Sequence, residues 1–311
     1  MNATSHIRLG SILLAAVAAL AAPAPAPAAR GSYGWPVKPF DVQHPVRGLF
    51  CDPRIAGRDE AHGTLHFGID IAAPDGTPVY ATLGGVASIH PLHRDTVTVS
   101  AGSVSHEYWH VVPSVRPGQR VVAYRTVVGR VEAPWAHVHF SEARGGVYVN
   151  PLRPGALTPY RDTTRPTIHV LSFERLGSAV GARLSQRVDL VAEAWDDVPL
   201  AVPAPWNGKP VTPARVAWRL IGPGVAPTWH VAADFRGALP RTPFSTVYAR
   251  WTRQNHPWGR GGTGRYRILL ARGWDTRTVP NGTYRLEVAA SDVCGNTAHA
   301  SRTLIVANPA V

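Results

Sequence analysis

Five residues of this chain have types and spacing suited to holding and using a metal ion. If His66-Phe67-Gly68-Ile69-Asp70 is extended, His66, Gly68 and Asp70 share one face, because a strand alternates its side chains with period two. Gly68 then leaves space between the imidazole and the carboxylate, both of which are zinc donors. His137-Val138-His139-Phe140 puts two imidazoles on one strand face and two apolar side chains on the other. Tyr108-Trp109-His110 repeats that alternation. Four histidines and one aspartate are thus expected to converge on one side of an antiparallel sheet. A chain with 14 His will contain isolated His-x-His pairs by chance, so the weight rests on the combination.

The elements that would carry these residues read as strands. The chain has 311 residues, 45% of them hydrophobic, with 29 Gly and 29 Pro scattered along it. Few ten-residue stretches escape a Gly, a Pro or a β-branched cluster, so long amphipathic helices are not expected. The apolar fraction excludes a disordered chain, and the scatter of Gly and Pro excludes a collagen-like one. Short β-like runs alternate with turn signals at 78–83, 85–89, 96–100, 106–111, 120–122 and 137–141. Residues 156–166 are Pro-rich and polar and read as a linker. Further strands are expected at 167–173, 187–194, 215–221, 229–233, 246–251 and 265–270. Asn281-Gly282 is a tight-turn signal leading into strands at 283–290 and 298–306. This predicts an all-β protein whose first half, 35–155, carries the histidines and whose second half, 167–309, is a β-sandwich.

The residues around the histidines add a family resemblance. The segment Leu65-His66-Phe67-Gly68-Ile69-Asp70-Ile71-Ala72-Ala73-Pro74-Asp75-Gly76-Thr77-Pro78-Val79-Tyr80-Ala81 resembles the His-x-Gly-x-Asp and Gly-x-x-Val-x-Ala motifs of the lysostaphin-type, or LytM-like, zinc endopeptidases. Tyr108-Trp109-His110 resembles their Tyr-x-His, and the turn around Pro117-Gly118-Gln119 their Gly-Gln turn. His137-Val138-His139-Phe140 resembles their His-Leu-His-Phe, and Asn150-Pro151-Leu152 their closing Asn-Pro. The resemblance implies that His66, Asp70 and His139 ligate one zinc ion. It also implies that His110 and His137 are an unligated catalytic pair, without saying which is the base. Three protein ligands leave a position for water, as a hydrolytic site requires, and a neutral imidazole beside it can take a proton. The implied activity is hydrolysis of peptide bonds in peptidoglycan stems or cross-bridges. The rival is a catalytically silent relative that binds the wall or activates an amidase, which missing ligands would mark. The chain departs from the pattern in three places. The loop before the His-x-His motif is compressed to 131–136. Ser141 follows Phe140 where Glu is usual, with Glu142 on the other face. Phe-Gly-x-Arg appears as Phe50-Cys51-Asp52-Pro53-Arg54. These changes bear on cleft shape and specificity. His62, His90, His93 and His106 lie nearby and are expected at exposed positions, with His62 or His106 as alternatives for lining the cleft. The second half resembles bacterial immunoglobulin-like accessory domains in its Asp292-x-x-Gly295-Asn296 turn and the strand before it.

The remaining features concern address and partners. Residues 1–28 read as an export signal: a short polar start, an apolar run at 9–20, and small-x-small sites at Ala19-Leu20-Ala21 and Ala26-Pro27-Ala28. The apolar run is too short to span a bilayer, and no later segment could, so the mature chain is expected without a transmembrane segment, periplasmic or extracellular. Residues 29–34 read as a disordered leader. Cys51 and Cys294, in an oxidising compartment, are expected to pair; the alternative is two separate thiols. Residues 161–311 hold nineteen Lys+Arg against ten Asp+Glu, whereas residues 30–160 hold twelve against ten. The basic half suits anionic envelope polymers or simple solubility. Nucleic acid is argued against by the export signal and the five-residue constellation. Trp251, Arg253, Trp258 and Arg260 lie in a Gly-rich stretch that suits either a glycan-contacting loop or packing, while most of the other tryptophans of the second half are expected in the core.

Overall fold

His137 and His139 sit on a central strand of the main antiparallel sheet and Asp70 on the strand beside it, while His66 precedes that neighbouring strand and His110 follows the one on the other side; the pairing register explains how they meet. The computed structural model of the chain describes residues 32–55, 63–255 and 262–310. Its first half contains β1 (Val46–Gly48), β2 (Pro53–Arg54), β3 (Thr64–Leu65), β4 (Ile69–Ala72), β5 (Pro78–Tyr80), β6 (Gly85–Ile89), β7 (Thr96–Ala101), β8 (Val104–Trp109), β9 (Val111–Pro113), β10 (Arg120–Val121), β11 (Val127–Val131), β12 (His137–Arg144) and β13 (Val147–Val149). The main sheet runs β1-β4-β12-β8-β7-β6-β10, with β13 also on β12; β5-β11-β9 form a smaller sheet and β2-β3 a two-stranded ribbon. β4 and β8 flank β12, so that His139 is opposite Asp70 on one side and Trp109 on the other. The alternation expected from the sequence holds here. Ile69, Ile71, Val138 and Phe140 enter one core with Trp35, Val97, Val99 and Tyr108, while Asp70, His137 and His139 point to the opposite face.

The second half contains β14 (Thr167–Arg175), β15 (Ser178–Val180), β16 (Arg183–Leu184), β17 (Arg187–Trp195), β18 (Arg215–Ile221), β19 (His230–Asp234), α1 (Phe244–Val247), β20 (Arg267–Asp275), β21 (Gly282–Ser291) and β22 (Thr297–Val306). The sheets β15-β14-β17-β20 and β16-β22-β21-β18-β19 share a second core. The protein is therefore all-β, with one turn of α-helix and one 3-10 turn at Thr276–Thr278 among the described residues. No helix among those residues is long and apolar enough to cross a membrane. The strand expected at 246–251 is absent. Phe244 and Val247, three residues apart, are both buried on one side of α1, the helical spacing, and Tyr248 then makes only an isolated bridge to Ile268.

The described residues of the two halves form one compact unit. Phe50, Cys51 and Ile55 of the first half are buried in the core of the second, beside Phe235, Phe244 and Tyr248. Tyr248 Oη donates to the Cys51 carbonyl at 2.8 Å, Thr212 N to Asp52 Oδ1 at 2.8 Å, and Ile55 N to Gln254 Oε1 at 2.7 Å. The stretch expected as a linker is packed as well: Leu157 is buried in the first core, and the Pro159 carbonyl accepts from Trp35 Nε1 at 2.9 Å. Tyr33 and Gly34, expected in a disordered leader, are held. Tyr33 N donates to the Ala156 carbonyl and Gly34 N to Tyr124 Oη at 2.7 Å. The signal stretch, residues 29–31 and His62 lie outside the described residues. The expected Cys51–Cys294 disulfide does not form: Cys51 is buried in the second core, Cys294 is exposed, and both are free thiols. The halves are joined by packing and hydrogen bonds around Cys51 rather than by its sulfur.

Candidate metal centre

The structure brings three of the five singled-out residues to a single point. His66 Nε2 lies 2.7 Å from His139 Nδ1, and each lies 3.1 Å from Asp70 Oδ1. All three residues are buried. Neighbours decide which ring nitrogen faces inward. The Leu49 carbonyl, 2.8 Å from His66 Nδ1, can only accept, so Nδ1 carries the proton and Nε2 presents a lone pair. Ser141 Oγ, 2.8 Å from His139 Nε2, can take that ring's proton and free Nδ1. Ser141, standing where the resembled pattern has Glu, thus orients a ligand-type histidine. Two lone pairs and a carboxylate oxygen facing each other at these distances repel unless a cation sits among them. Two imidazoles and a carboxylate match the donors and number of a zinc site with one open position. The residues therefore fit the metal.

The close approach depends on glycine. A Cβ at Gly68 would lie 2.4 Å from the Phe140 carbonyl oxygen, 2.5 Å from Ser141 Oγ and 2.8 Å from His139 Nε2. A Cβ at Gly48 would lie 2.7 Å from Asp70 Oδ2 and 2.8 Å from Arg54 Nη2. Arg54 Nη2 donates to Asp70 Oδ2 at 2.8 Å, turning Oδ1 toward the imidazoles.

His137 and His110 stand beside this triangle. His137 Nε2 is 3.5 Å from Asp70 Oδ1, and the His110 and His137 rings are 4.8 Å apart. His137 Nδ1 has two neighbours, the Trp135 carbonyl at 2.8 Å and Arg47 Nη2 at 2.7 Å. His110 Nδ1 is 3.2 Å from Asp95 Oδ2, and its ring stacks on Trp135 at 4.2 Å. The alternation expected for Tyr108-Trp109-His110 fails at its last residue. His110 follows the end of β8 with φ 62, in the left-handed region, which swings its side chain to the cleft side with Trp109 while Tyr108 stays in the core.

Burial sets the charge states. It pushes His137 and His139 down to about 3, and it lowers His66 and His110, so the four rings are neutral at pH 7. For Asp70, burial works upward, but His66, Arg54 and His137 outweigh it and hold the carboxyl well below the usual range.

These groups line a cleft of about 490 Å³, walled by Phe67, Trp109, Trp135 and, from the second half, Trp206, Gln254, Asn255 and Tyr266. Several contributors were not legible in the sequence. Asp95 reaches His110 only because β7 pairs with β8, with Thr96 opposite Trp109. Arg47 reaches His137 because β1 lies on β4, Val46 opposite Ile71. Trp206 lies in a Pro- and Gly-flanked loop, a turn signal that marks exposure but not its target. Of the other histidines, His106 is buried rather than exposed, its Nδ1 2.7 Å from Thr82 Oγ1. His93 is exposed as expected and His90 is half-buried, and both rings lie tilted against Trp109. Trp251 is exposed; Trp258 and Arg260 lie outside the described residues. Among the tryptophans expected in the core, Trp218 is buried but Trp229 is exposed and Trp206 lines the cleft. Comparison with protein-family models and with curated proteins finds no match for the chain.

Proposed function

We propose that the chain is an exported zinc metalloendopeptidase that hydrolyses peptide bonds in peptidoglycan. The observation that carries this is the triangle of His66 Nε2, Asp70 Oδ1 and His139 Nδ1 with two neutral imidazoles beside it in an open cleft. The resemblance of these motifs to the LytM-like enzymes and the export-type N-terminus supply the substrate and the address. Bound to His66, Asp70 and His139, zinc supplies a Lewis acid and makes water nucleophilic at neutral pH.

The chain's own residues handle the protons. Hydrolysis adds water across the C–N bond: one proton leaves the attacking water and one must reach the departing amine. His110 suits the first task. Its Nδ1–H donates to Asp95, its Nε2 presents a lone pair, and the carboxylate steadies the ring when it gains a proton. His137 is disfavoured as a cation by its burial, with the Arg47 guanidinium adding to the effect. His137 Nδ1 lies between the Arg47 guanidinium, which can only donate, and the Trp135 carbonyl, which can only accept; when Nδ1 accepts from Arg47, the proton on Nε2 serves as a hydrogen-bond donor to developing negative charge. Trp109, Trp135 and Phe67 give the cleft an apolar wall beside these groups.

The test is metal analysis of the purified protein with mass spectrometry of fragments released from purified sacculi. One zinc per chain, with peptide-bond cleavage that a chelator abolishes and zinc restores, is the expected result. A zinc-loaded protein that releases nothing overturns the hydrolase reading in favour of a wall-binding one.

A further inference from the structure

Two arginines are buried among the described residues, Arg47 at 8% exposure and Arg267 at 6%. They are treated differently. Arg267 is ion-paired with the buried Glu174. Arg47 has no carboxylate within ion-pairing distance among the described residues, and its only polar side-chain contact there is the neutral His137. Its Nε is buried with no hydrogen-bond partner. The nearby acids are committed elsewhere: Asp70 to Arg54 and the imidazoles, Asp52 to the Leu49 and Thr212 amides. Burial lowers the guanidinium only to about 10, so it is charged at neutral pH. The Trp206 ring lies 4.1 Å from the guanidinium carbon and covers it from the second half of the chain. A buried cation without a partner anion is costly, and the cost is offset when a ligand brings the anion.

We propose that Arg47 binds a free carboxylate of the substrate beside the bond that His110 and His137 act on, so that the cleft selects acidic stem peptides over the same peptides with their carboxyl groups amidated. This rests on the hydrolase reading above and adds its specificity. A carboxylate suits the site better than a phosphate. Among the described residues Arg47 is the cation of the lining that lacks a carboxylate partner, the surrounding wall is aromatic, and a planar monoanion matches one guanidinium fork. Arg47 lies against His137, which places the bound carboxylate within a residue or so of the reacting bond.

The experiment uses the full chain and two synthetic stem peptides, one with its carboxyl groups free and one with all of them as carboxamides. The zinc-loaded protein is expected to show kcat/KM at least about tenfold higher for the free acid, the worth of a charge-assisted hydrogen bond. The metal-free protein is expected to bind the free acid about tenfold more tightly in calorimetry, a readout that needs no turnover. Arg47→Met should bring both ratios close to one, and Arg47→Lys should keep part of them. Equal kcat/KM and equal binding for the two peptides in the unsubstituted protein overturn the proposal while leaving the hydrolase reading intact, and that comparison needs no variant to fold. Preferential binding of the acid without cleavage keeps the proposal and removes the hydrolase reading. If Arg47→Met weakens both peptides equally and the preference for the acid persists, Arg47 serves only to position His137 and the proposal fails.

Discussion

Holding a metal and using it should separate between two histidines that are neighbours on one strand face. His139 Nδ1 is a corner of the donor triangle, whereas His137 Nε2 stands outside it, 3.5 Å from Asp70 Oδ1. His139→Ala is therefore expected to lose bound zinc. His137→Ala is expected to keep zinc near one per chain while turnover falls by about 10²–10⁴-fold. Metal content and peptide hydrolysis measured on both variants check this, and a reversed pattern would exchange the two roles. Gly68→Ala belongs with His139→Ala: its methyl would press on Ser141 Oγ and His139 Nε2, so metal content should drop without any donor being removed. The positions of Asp70, His137 and His139 were legible because strand alternation is local and needs no knowledge of partners, whereas His66 precedes the strand that carries Asp70 and shares the cleft with Phe67, so alternation does not account for it. His110 reaches the same cleft through a left-handed backbone that alternation does not foretell. Arg47 and Asp95 were not legible at all, because their neighbours are set by strand pairing, and a lone Arg or Asp in a sequence carries no sign of what lies opposite it.

Strand β12 carries the site at its start and an ion cluster at its end. Glu142, fully buried, accepts from Arg153 at 2.7 Å through both oxygens, from Arg144 at 2.6 Å and from Tyr33 Oη at 2.7 Å. Burial alone would raise its carboxyl, but the bonds from Arg153 and Tyr33 win and hold it at about 2. Its folded pKa lies below the unfolded one, so its contribution is complete above about pH 4.5 and is lost as pH falls from there toward 2. Glu142→Gln is expected to cost about 2–4 kcal/mol at pH 7, since it leaves two arginines without their anion. In denaturant titrations the gap to the unsubstituted protein should narrow between pH 4.5 and 3; a gap of constant size across that window would mean the ion cluster is not its source. The opposite sign holds just beyond the end of β17. Asp196, Asp162 and Asp292 bring three carboxylates together, and burial followed by the two like charges pushes Asp196 up to about 8. A raised acid destabilises the fold as pH climbs from about 4 to 8. Asp196→Asn should therefore stabilise the protein by about 1–3 kcal/mol at pH 7, and the gain should vanish near pH 4. Thermal melts at the two pH values decide it. Strand existence was legible wherever turn residues bracket an apolar run, as at 283–290 and 298–306. It failed at 246–251, where Phe244 and Val247 are packed at helical spacing that an aromatic-rich run does not reveal.

The sheets of the two halves are separate in sequence, yet the cleft belongs to both. Trp206, Gln254, Asn255 and Tyr266 wall it, and Phe50, Cys51 and Ile55 complete the second core from the first half. In the sequence the five-residue constellation lies wholly before Pro151 and most of the excess positive charge after Tyr160, which suggested a catalytic half and an electrostatic anchor. Nothing local in the sequence reveals that an interface is dry and shared, since Phe50 or Trp206 would be equally hydrophobic in a core of its own. The distinction can be measured. A fragment ending at Tyr160 would expose Phe50 and Ile55, leave Asp52 without the Thr212 amide, and lose the Trp206 cover over Arg47. It is expected to melt well below the intact chain. It should also lose hydrolysis of small soluble stem peptides as fully as hydrolysis of intact sacculi, with salt leaving the ratio of the two losses unchanged. An electrostatic anchor would behave otherwise. Exposed charge is screened over about 8 Å at physiological ionic strength, so the deficit would be confined to sacculi and would shrink as salt rises. Both substrates followed across a salt series therefore distinguish a second half that shapes the cleft from one that only holds the protein to the wall, and the shared lining around Trp206 predicts the first.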